Sequence, residues 1–278
     1  DMPELKIEES FGVLKVIGRD FTLTIGTENQ WNVNAEGAII SFVFKGKELI
    51  ATPLLPNFWR VPIDNEIKLQ WDRNFIYPVG GMPRKQGIWK QAGQFRTVES
   101  VTAEQLKPQV VRIAVKATLI PGIEAKYRNV YTIFGSGDVV VEGSFDPGDK
   151  KLPDLPRFGM QMEIPREFDT MTWYGRGPHE NYWDRKTGAA VGVYAGQVKD
   201  LIHNYIRPQE NANRTDVRWL ALTNKNGIGL LTVGMPLLNV SAWPYTMYDL
   251  ERASHINELP QRDTITVNLD YKQMGVGG

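Results

Sequence analysis

The sequence contains no cysteine among its 278 residues. This excludes disulfides, thiolate nucleophiles, thiolate zinc sites and iron–sulfur clusters. Histidine is scarce as well, and the spacing of His179, His203 and His255 matches no metal-ligand pattern. The sequence therefore predicts neither a metal site nor a bound cofactor in this chain.

An excess of charge of one sign is also missing. The 32 basic residues are balanced by 32 acidic ones, and no run of Lys or Arg exceeds two residues. A nucleic-acid-binding protein is expected to show a basic patch or stripe, so this class is excluded. No stretch approaches the roughly 18 apolar residues of a membrane span. We expect neither a nucleic acid nor a membrane as partner, and a neutral surface suits an uncharged ligand such as a sugar.

What the sequence has is a hydrophobic period of two. Apolar residues alternate with polar ones over residues 21–25, 111–119 and 265–269, as in strands with one face in a core and one toward solvent. Residues 130–145 predict a hairpin that turns at 135–138, and only residues 65–75 indicate a short helix. Many short strands with few helices predict an all-β sandwich or barrel. We expect one large domain over residues 10–278, preceded by a connector at residues 1–9.

The first dense cluster is Pro56-Asn-Phe-Trp-Arg-Val-Pro-Ile-Asp-Asn-Glu66. Two prolines and several polar groups argue against a central strand. The spacing of Arg60 and Asp64 suggests an ion pair across a tight loop, with Trp59 buried beside it. The same residues offer a second interpretation, in which Asp64 and Glu66 form a pair of carboxylates.

A second cluster is Trp173-Tyr-Gly-Arg-Gly-Pro-His-Glu-Asn-Tyr-Trp-Asp-Arg-Lys-Thr-Gly188. Gly175 and Gly177 indicate unusual backbone angles or the close approach of another segment. His179, Glu180 and Asp184 could act as acid–base groups, and aromatic rings among carboxylates also suit a sugar site. Equally, the cluster could be a rigid loop whose polar side chains bond to the backbone.

The third cluster, Arg207-Pro-Gln-Glu-Asn-Ala-Asn-Arg-Thr-Asp-Val-Arg-Trp219, is polar and runs into a strand predicted at residues 217–222. Its Glu210 is one more candidate carboxylate. A glycosidase needs two carboxyl groups about 5–10 Å apart. Spacing along the sequence does not bring any two of these groups together, so the residues alone assign no catalytic pair.

Four segments resemble signatures of the β-galactosidase small-chain domain, in the expected order. The first cluster is similar to the signature near the start of that domain. Leu155-Pro-Arg-Phe-Gly-Met160 with the second cluster resembles the central signature, and residues 208–219 resemble the next. Val267-Asn-Leu-Asp-Tyr-Lys-Gln-Met-Gly-Val-Gly-Gly278 resembles the segment near the C-terminus of the domain.

The resemblance implies the C-terminal domain of a bacterial β-galactosidase of glycoside hydrolase family two, with a large antiparallel supersandwich fold related to galactose mutarotase. Such enzymes hydrolyse terminal β-D-galactosyl residues, and their catalytic glutamates and Mg and Na ions lie outside this domain. The chain is then expected to be inactive alone, with no catalytic residue and no metal of its own. It would be truncated at its C-terminus, short of a Trp that contacts sugar in the family.

The partners implied are the upstream barrel and sandwich domains of the same chain and a β-galactoside. The parent enzyme is itself a candidate homo-oligomer. Bacterial cytoplasm and periplasm both stay open as compartments. The resemblance makes eleven residues candidates for facing the barrel or the substrate pocket, by packing and by anchoring loops: Trp59, Arg60, Asp64, Asn65, Arg176, His179, Glu180, Asn181, Asp184, Glu210 and Asn211.

One alternative comes from a different class, a stand-alone carbohydrate-binding module or aldose 1-epimerase on the same fold. An epimerase needs its own acid and base in one cleft. His179 or His203 with Glu210 or Glu258 could supply them. A third reading is a purely structural or oligomerisation domain.

Overall fold

The computed structural model describes residues 2–29, 34–68, 86–120, 123–148 and 152–277. These residues form antiparallel sheets with a few short helices, so the all-β prediction is confirmed, and the sheets are consistent with a β-sandwich. The chain divides into two compact units, Asp1–Leu55 with Gln91–Leu152, and Pro56–Lys90 with Pro153–Gly278. The predicted single domain after residue 9 stays a prediction, and part of the predicted connector is a strand.

The first unit holds a five-stranded sheet in the order β1-β2-β3-β4-β5 and a four-stranded sheet in the order β10-β9-β8-β7. The strands of the first sheet are β1 (Lys6–Ser10), β2 (Val13–Ile17), β3 (Phe21–Gly26), β4 (Ile39–Phe44) and β5 (Lys47–Glu48). Those of the second are β7 (Thr97–Lys107), β8 (Val110–Ile120), β9 (Ile123–Phe134) and β10 (Val139–Asp146). The predicted hairpin is confirmed as β9 and β10, with Ile133 opposite Val139 across the turn.

Alternation explains how β8 packs. Its apolar residues from Val111 to Leu119 are almost fully buried, while Arg112 and Lys116 between them are exposed. Such a strand has one face in the core and one in water, as period two requires. Burial of the apolar face is what stabilises it.

The second unit holds a seven-stranded sheet in the order β13-β12-β14-β15-β16-β11-β6. Its strands are β6 (Leu55–Asn57), β11 (Arg157–Pro165), β12 (Thr170–Gly177), β13 (Ala190–Gln197), β14 (Arg214–Thr223), β15 (Gly229–Trp243) and β16 (Thr264–Gln273). Short helices are α1 (Asp64–Lys68), α2 (Val198–Leu201) and α3 (Met247–Arg252), with 3₁₀ turns at Gln86–Trp89 and Ile256–Glu258. Of the helix predicted over residues 65–75, the part after Lys68 lies outside the described residues.

The prediction that β16 has one solvent face is wrong. Ile265 and Val267 are buried as expected, but Thr266, Asn268 and Asp270 on the other face are buried too. The reason is the position of β16 between β15 and β11, where the polar side chains meet polar partners. Asn268, for example, donates from Nδ2 to Ser241 Oγ at 2.9 Å.

The alternation in the first unit predicts an asymmetry in stability. Replacing Ile113, which is fully buried, by Ala leaves a cavity and should lower the free energy of unfolding by about 2–5 kcal/mol. Val140→Ala on β10, at an exposed position, should change it by about 0.5 kcal/mol or less. Urea denaturation of both variants measures the difference. Equal losses would contradict the assignment of the two faces.

Candidate functional site

The segment that follows β6 is fixed by a buried ion pair. The guanidinium of Arg60 donates from Nη1 to Glu66 Oε2 at 2.8 Å and from Nη2 to Glu66 Oε1 at 2.5 Å. Both residues are buried, as is Trp59, whose Nε1 donates to Glu251 Oε1 at 2.6 Å. A bidentate pair of this kind fixes both direction and distance.

The predicted pair of Arg60 with Asp64 is therefore wrong. Asp64 begins α1 and stays exposed, where it exchanges two hydrogen bonds of 3.2 Å with Gln209. Asn65, also exposed, follows it in the helix. The turn of α1 brings Glu66, two residues later, into the interior. The carboxylate that binds Arg60 is therefore that of Glu66, and the prediction from residue spacing had chosen Asp64 instead. Engaged in this pair, Glu66 does not form an open carboxylate pair with Asp64.

Two of the predicted site residues hold residues 274–277, which we call the terminal segment. Arg60 donates from Nη2 to the carbonyl oxygen of Gly275 at 2.8 Å. Asp184 accepts at Oδ2 from the backbone N–H of Gly277 at 2.6 Å. A Cβ on Gly275 would lie 2.3 Å from that same Oδ2, so only glycine allows the carboxylate to approach. The structure thus brings the first, second and last of the four signatures together.

Glu180 and Asn181 join the second signature to the third. The carboxylate of Glu180 accepts from the Tyr205 hydroxyl, from Arg185, and at 2.7 Å from the backbone N–H of Ala212. Asn181 is fully buried, and its Oδ1 accepts from the backbone and the hydroxyl of Thr215 at 2.9 and 2.6 Å. These bonds agree with the rigid-loop reading of the second cluster.

The remaining predicted residues of this region have separate places. His179 is exposed at the surface, and its carbonyl accepts from Asn181 Nδ2. Arg176 lies in β12 and donates from Nε to Asp216 Oδ2 at 2.5 Å. Asn211 is buried, and its carbonyl accepts from Trp243 Nε1 at 3.0 Å. Gly175 and Gly177 belong to β12 rather than to a loop, and the close approach predicted at Gly175 is that of Val217.

Arg157 is the centre of a buried polar cluster. Its guanidinium donates to Asn268 Oδ1 at 2.9 Å, to Glu210 Oε1 at 3.1 Å and to Gln273 Oε1 at 3.1 Å. Nε of the same side chain lies 3.2 Å from Asp270 Oδ2. Arg157 and Asp270 were not predicted as site residues, although both stand inside the quoted signatures. The signal that could have identified them is the occurrence of a basic and an acidic residue within apolar strand patterns.

Two carboxyl groups thus share one guanidinium in the interior. Burial raises the pKa of Asp270 to about 7, with Glu210 adding to the rise and Arg157 opposing it. Burial also raises the pKa of Glu210, against the charges of Arg157 and Arg60. Oε2 of Glu210 has no hydrogen-bond partner among the described residues. Glu210 is thus fully buried and ion-paired in the interior of the second unit.

Among the described residues, the predicted acid and base of an epimerase do not come together. Glu210 is bound by Arg157, and Glu258 contacts His255 at 3.1 Å on the surface. In the described part of the chain, neither His179 nor His203 forms a hydrogen bond or an ion pair with either carboxylate. The ring of His203 instead contacts that of Tyr205.

Two searches of the described ranges concern other classes of site. Nowhere in them do three or more His, Asp or Glu side chains gather in a group that could hold a metal ion. None of their helices is both long and apolar enough to cross a membrane.

Fold and site together define an antiparallel β domain whose loops are fixed by buried arginine–carboxylate contacts. Comparison with known families matches residues 25–278 to the family described as "Beta galactosidase small chain". The chain belongs to this family.

Relatives of the chain are named β-galactosidase. One from Priestia megaterium is 37% identical over 99% of this chain, and one from Halalkalibacterium halodurans is 34% identical over 96%. A third, from Lactobacillus delbrueckii subsp. bulgaricus, is 31% identical over the whole chain. The matched region is 25%, 26% and 26% of these proteins, so the chain spans about a quarter of the length of the curated relatives it matches.

The buried pair predicts that Glu66 and Asp64 differ sharply in their effect on stability. Glu66→Ala leaves Arg60 charged and buried without its carboxylate, which should cost about 3–5 kcal/mol. Asp64→Ala, the matched control two residues away, removes an exposed group and should cost less than about 1 kcal/mol. Denaturant titration of both variants checks this. A larger loss for Asp64→Ala would refute the Arg60–Glu66 assignment.

The raised pKa of Asp270 predicts a pH dependence of stability. Its pKa is about 7 when folded, against an ordinary value of 3.8, so the folded state binds this proton more tightly than the unfolded state. The stabilisation is fully present below the unfolded pKa and is lost as the pH rises through 7. The free energy of unfolding, relative to that of Asp270→Asn, should fall between pH 4 and 7 by at most about 1.4 kcal/mol per pH unit. A flat or rising difference would mean that Asp270 is ionised in the folded protein.

Proposed function

We propose that this chain is the C-terminal domain of a β-galactosidase of glycoside hydrolase family two. The longer enzyme would hydrolyse terminal β-D-galactosyl residues with retention, through two carboxylates that lie in its barrel. Relatives named β-galactosidase, four times as long as the matched region, support this assignment. The family-two membership rests on the four signatures.

The role that we propose for the domain is non-catalytic. Three of its predicted site residues anchor other segments: Arg60 binds Glu66 and Gly275, Asp184 binds Gly277, and Glu180 binds the backbone of Ala212. The observation that carries the proposal is that residues of two separate signatures, Arg60 and Asp184, both bind the backbone of the terminal segment. A backbone fixed in this way would lose little further conformational entropy when it contributes to a pocket in a neighbouring domain.

Sugar contact would then be indirect for most of these residues. Asp64, Asn65, His179 and Asp184 are exposed and form the accessible part of the proposed barrel-facing surface. Trp59, Arg60, Asn181, Glu210 and Asn211 are buried and would act by holding that surface in shape. Any Mg²⁺ or Na⁺ of the longer enzyme is proposed to bind outside this domain, and no residue here is assigned to either ion.

The test uses the enzyme encoded by the whole reading frame that contains this chain. Asp184→Ala releases one end of the terminal segment and should lower kcat/KM for an aryl β-galactoside about 10- to 100-fold, because a displacement of about 1 Å near the chemistry has that effect. Asp20→Ala, at an exposed turn of the first unit, serves as the control and should leave kcat/KM unchanged.

Two results would contradict the proposal. An Asp184→Ala enzyme with unchanged kcat/KM would remove the anchoring role of the terminal segment. A reading frame that encodes nothing beyond these residues would remove the parent enzyme, and a carbohydrate-binding module would become the better account.

A further inference from the structure

Part of one face of the seven-stranded sheet, across four of its strands, is apolar and exposed or half-exposed. Val193 of β13 lies opposite Tyr174 of β12, Tyr174 lies opposite Trp219 of β14, and Trp219 lies opposite Val233 of β15. These four side chains therefore form one row across four strands. Val193 and Val233 are 62% and 67% exposed.

A second row runs beside the first on the same face. Ala195, Thr172, Ala221 and Leu231 are opposite one another in the same strand order, two residues along each strand. Leu231 is 66% exposed, and Thr172 is the one polar residue of the row. We call the two rows the outer face. The positions between the rows point to the other side, where Trp173 and Leu220 are almost fully buried.

An outer face of this composition is unusual for a free domain. Antiparallel sheets with one solvated face normally alternate apolar inward and polar outward residues. Here two adjacent rows across four strands contain no charged residue at all. Contiguous exposed apolar surface of this kind is typical of an interaction site.

The rim of the outer face carries positive charge at one end. The guanidinium carbon of Arg218 lies 5.3 Å from the ring centre of Tyr174. Nearby, Arg176 and Lys186 both bind the carboxylate of Asp216, and Arg218 donates to the backbone carbonyl of Asp216, so this end has three cations for one carboxylate. A partner with carboxylates beside an apolar patch would complement this edge.

We infer that the outer face is covered by another domain of the same longer chain, one that presents aliphatic surface with an acidic edge. The inference rests on the proposed function, which places this chain within a protein about four times its length. The size of the patch favours this occupant over a second copy. Its eight side chains fall well short of the roughly 20–30 residues a side of a stable interface between free molecules. Domains joined by a chain need less area, since the tether supplies the effective concentration.

The test measures access to the outer face in the full-length enzyme. Val193→Cys and Leu231→Cys place thiols in the two rows, and this part of the chain has no other cysteine. Lys225→Cys, in the exposed turn between β14 and β15, is the matched control. Maleimide labelling rates are corrected for those of the unsubstituted enzyme, and β-galactosidase activity is assayed on the same samples.

The expected result is labelling at both rows at least about tenfold slower than at Lys225→Cys, at every protein concentration. Rates equal to the control in an active enzyme would overturn the inference and leave the proposed function standing. Protection that appears only as the protein concentration rises would identify a second copy as the occupant and would also overturn it. Protection in an enzyme without galactosidase activity would instead support the covered face and count against the proposed function.

Discussion

Most of the second unit depends on the buried contacts of one side chain, that of Arg157. One guanidinium reaches Glu210 from the third signature and Asn268, Asp270 and Gln273 from β16. A charge buried this deeply needs nearby carboxylates and hydrogen-bond acceptors, because the cost of desolvation is otherwise unopposed. Arg157 in turn constrains its surroundings. Its burial is compatible with only one mutual arrangement of β11, β16 and the loop that carries Glu210. Polar contacts of this kind specify geometry more than they add stability.

The loops of the second unit are fixed by this arrangement and by a second buried arginine, Arg60. Arg60 is held by Glu66, and the spare donor capacity of its guanidinium goes to the carbonyl of Gly275. A single side chain thus fixes the segment after β6 and the segment after β16 at once. Backbone groups in irregular structure need partners as much as those in strands do, and here charged side chains supply them. The cost is that Arg60 cannot lose the carboxylate of Glu66 without leaving a buried charge uncompensated.

The sequence predicts the regular part of this architecture well, since a period of two directly reflects which side chains face the core, as in β8. It fails where burial is polar. Asn268 is predicted to face solvent because hydrophobicity cannot show that Arg157, more than 100 residues away, binds its side chain in the interior. The sequence does not identify the partner of Arg60 for a related reason, since about half a turn of α1 separates the outward Asp64 from the inward Glu66. The helix α3 is a further omission of the sequence analysis, although its capping box, in which Thr246 and Asp249 bond reciprocally, is a local signal that the residue spacing contains.

The buried ion pairs and the exposed apolar face of the second unit have a common explanation. A domain that folded and acted alone would gain by placing charge outside and apolar side chains inside. Here several charges are buried as ion pairs, while Val193, Leu231 and Val233 are exposed on the outer face. Buried ion pairs fix loops at little net gain in stability, and an exposed apolar face gains only when something covers it. Both features cost a free domain and benefit one that is packed into a larger chain, where fixed loops meet a neighbouring site and the tether keeps the covering surface close.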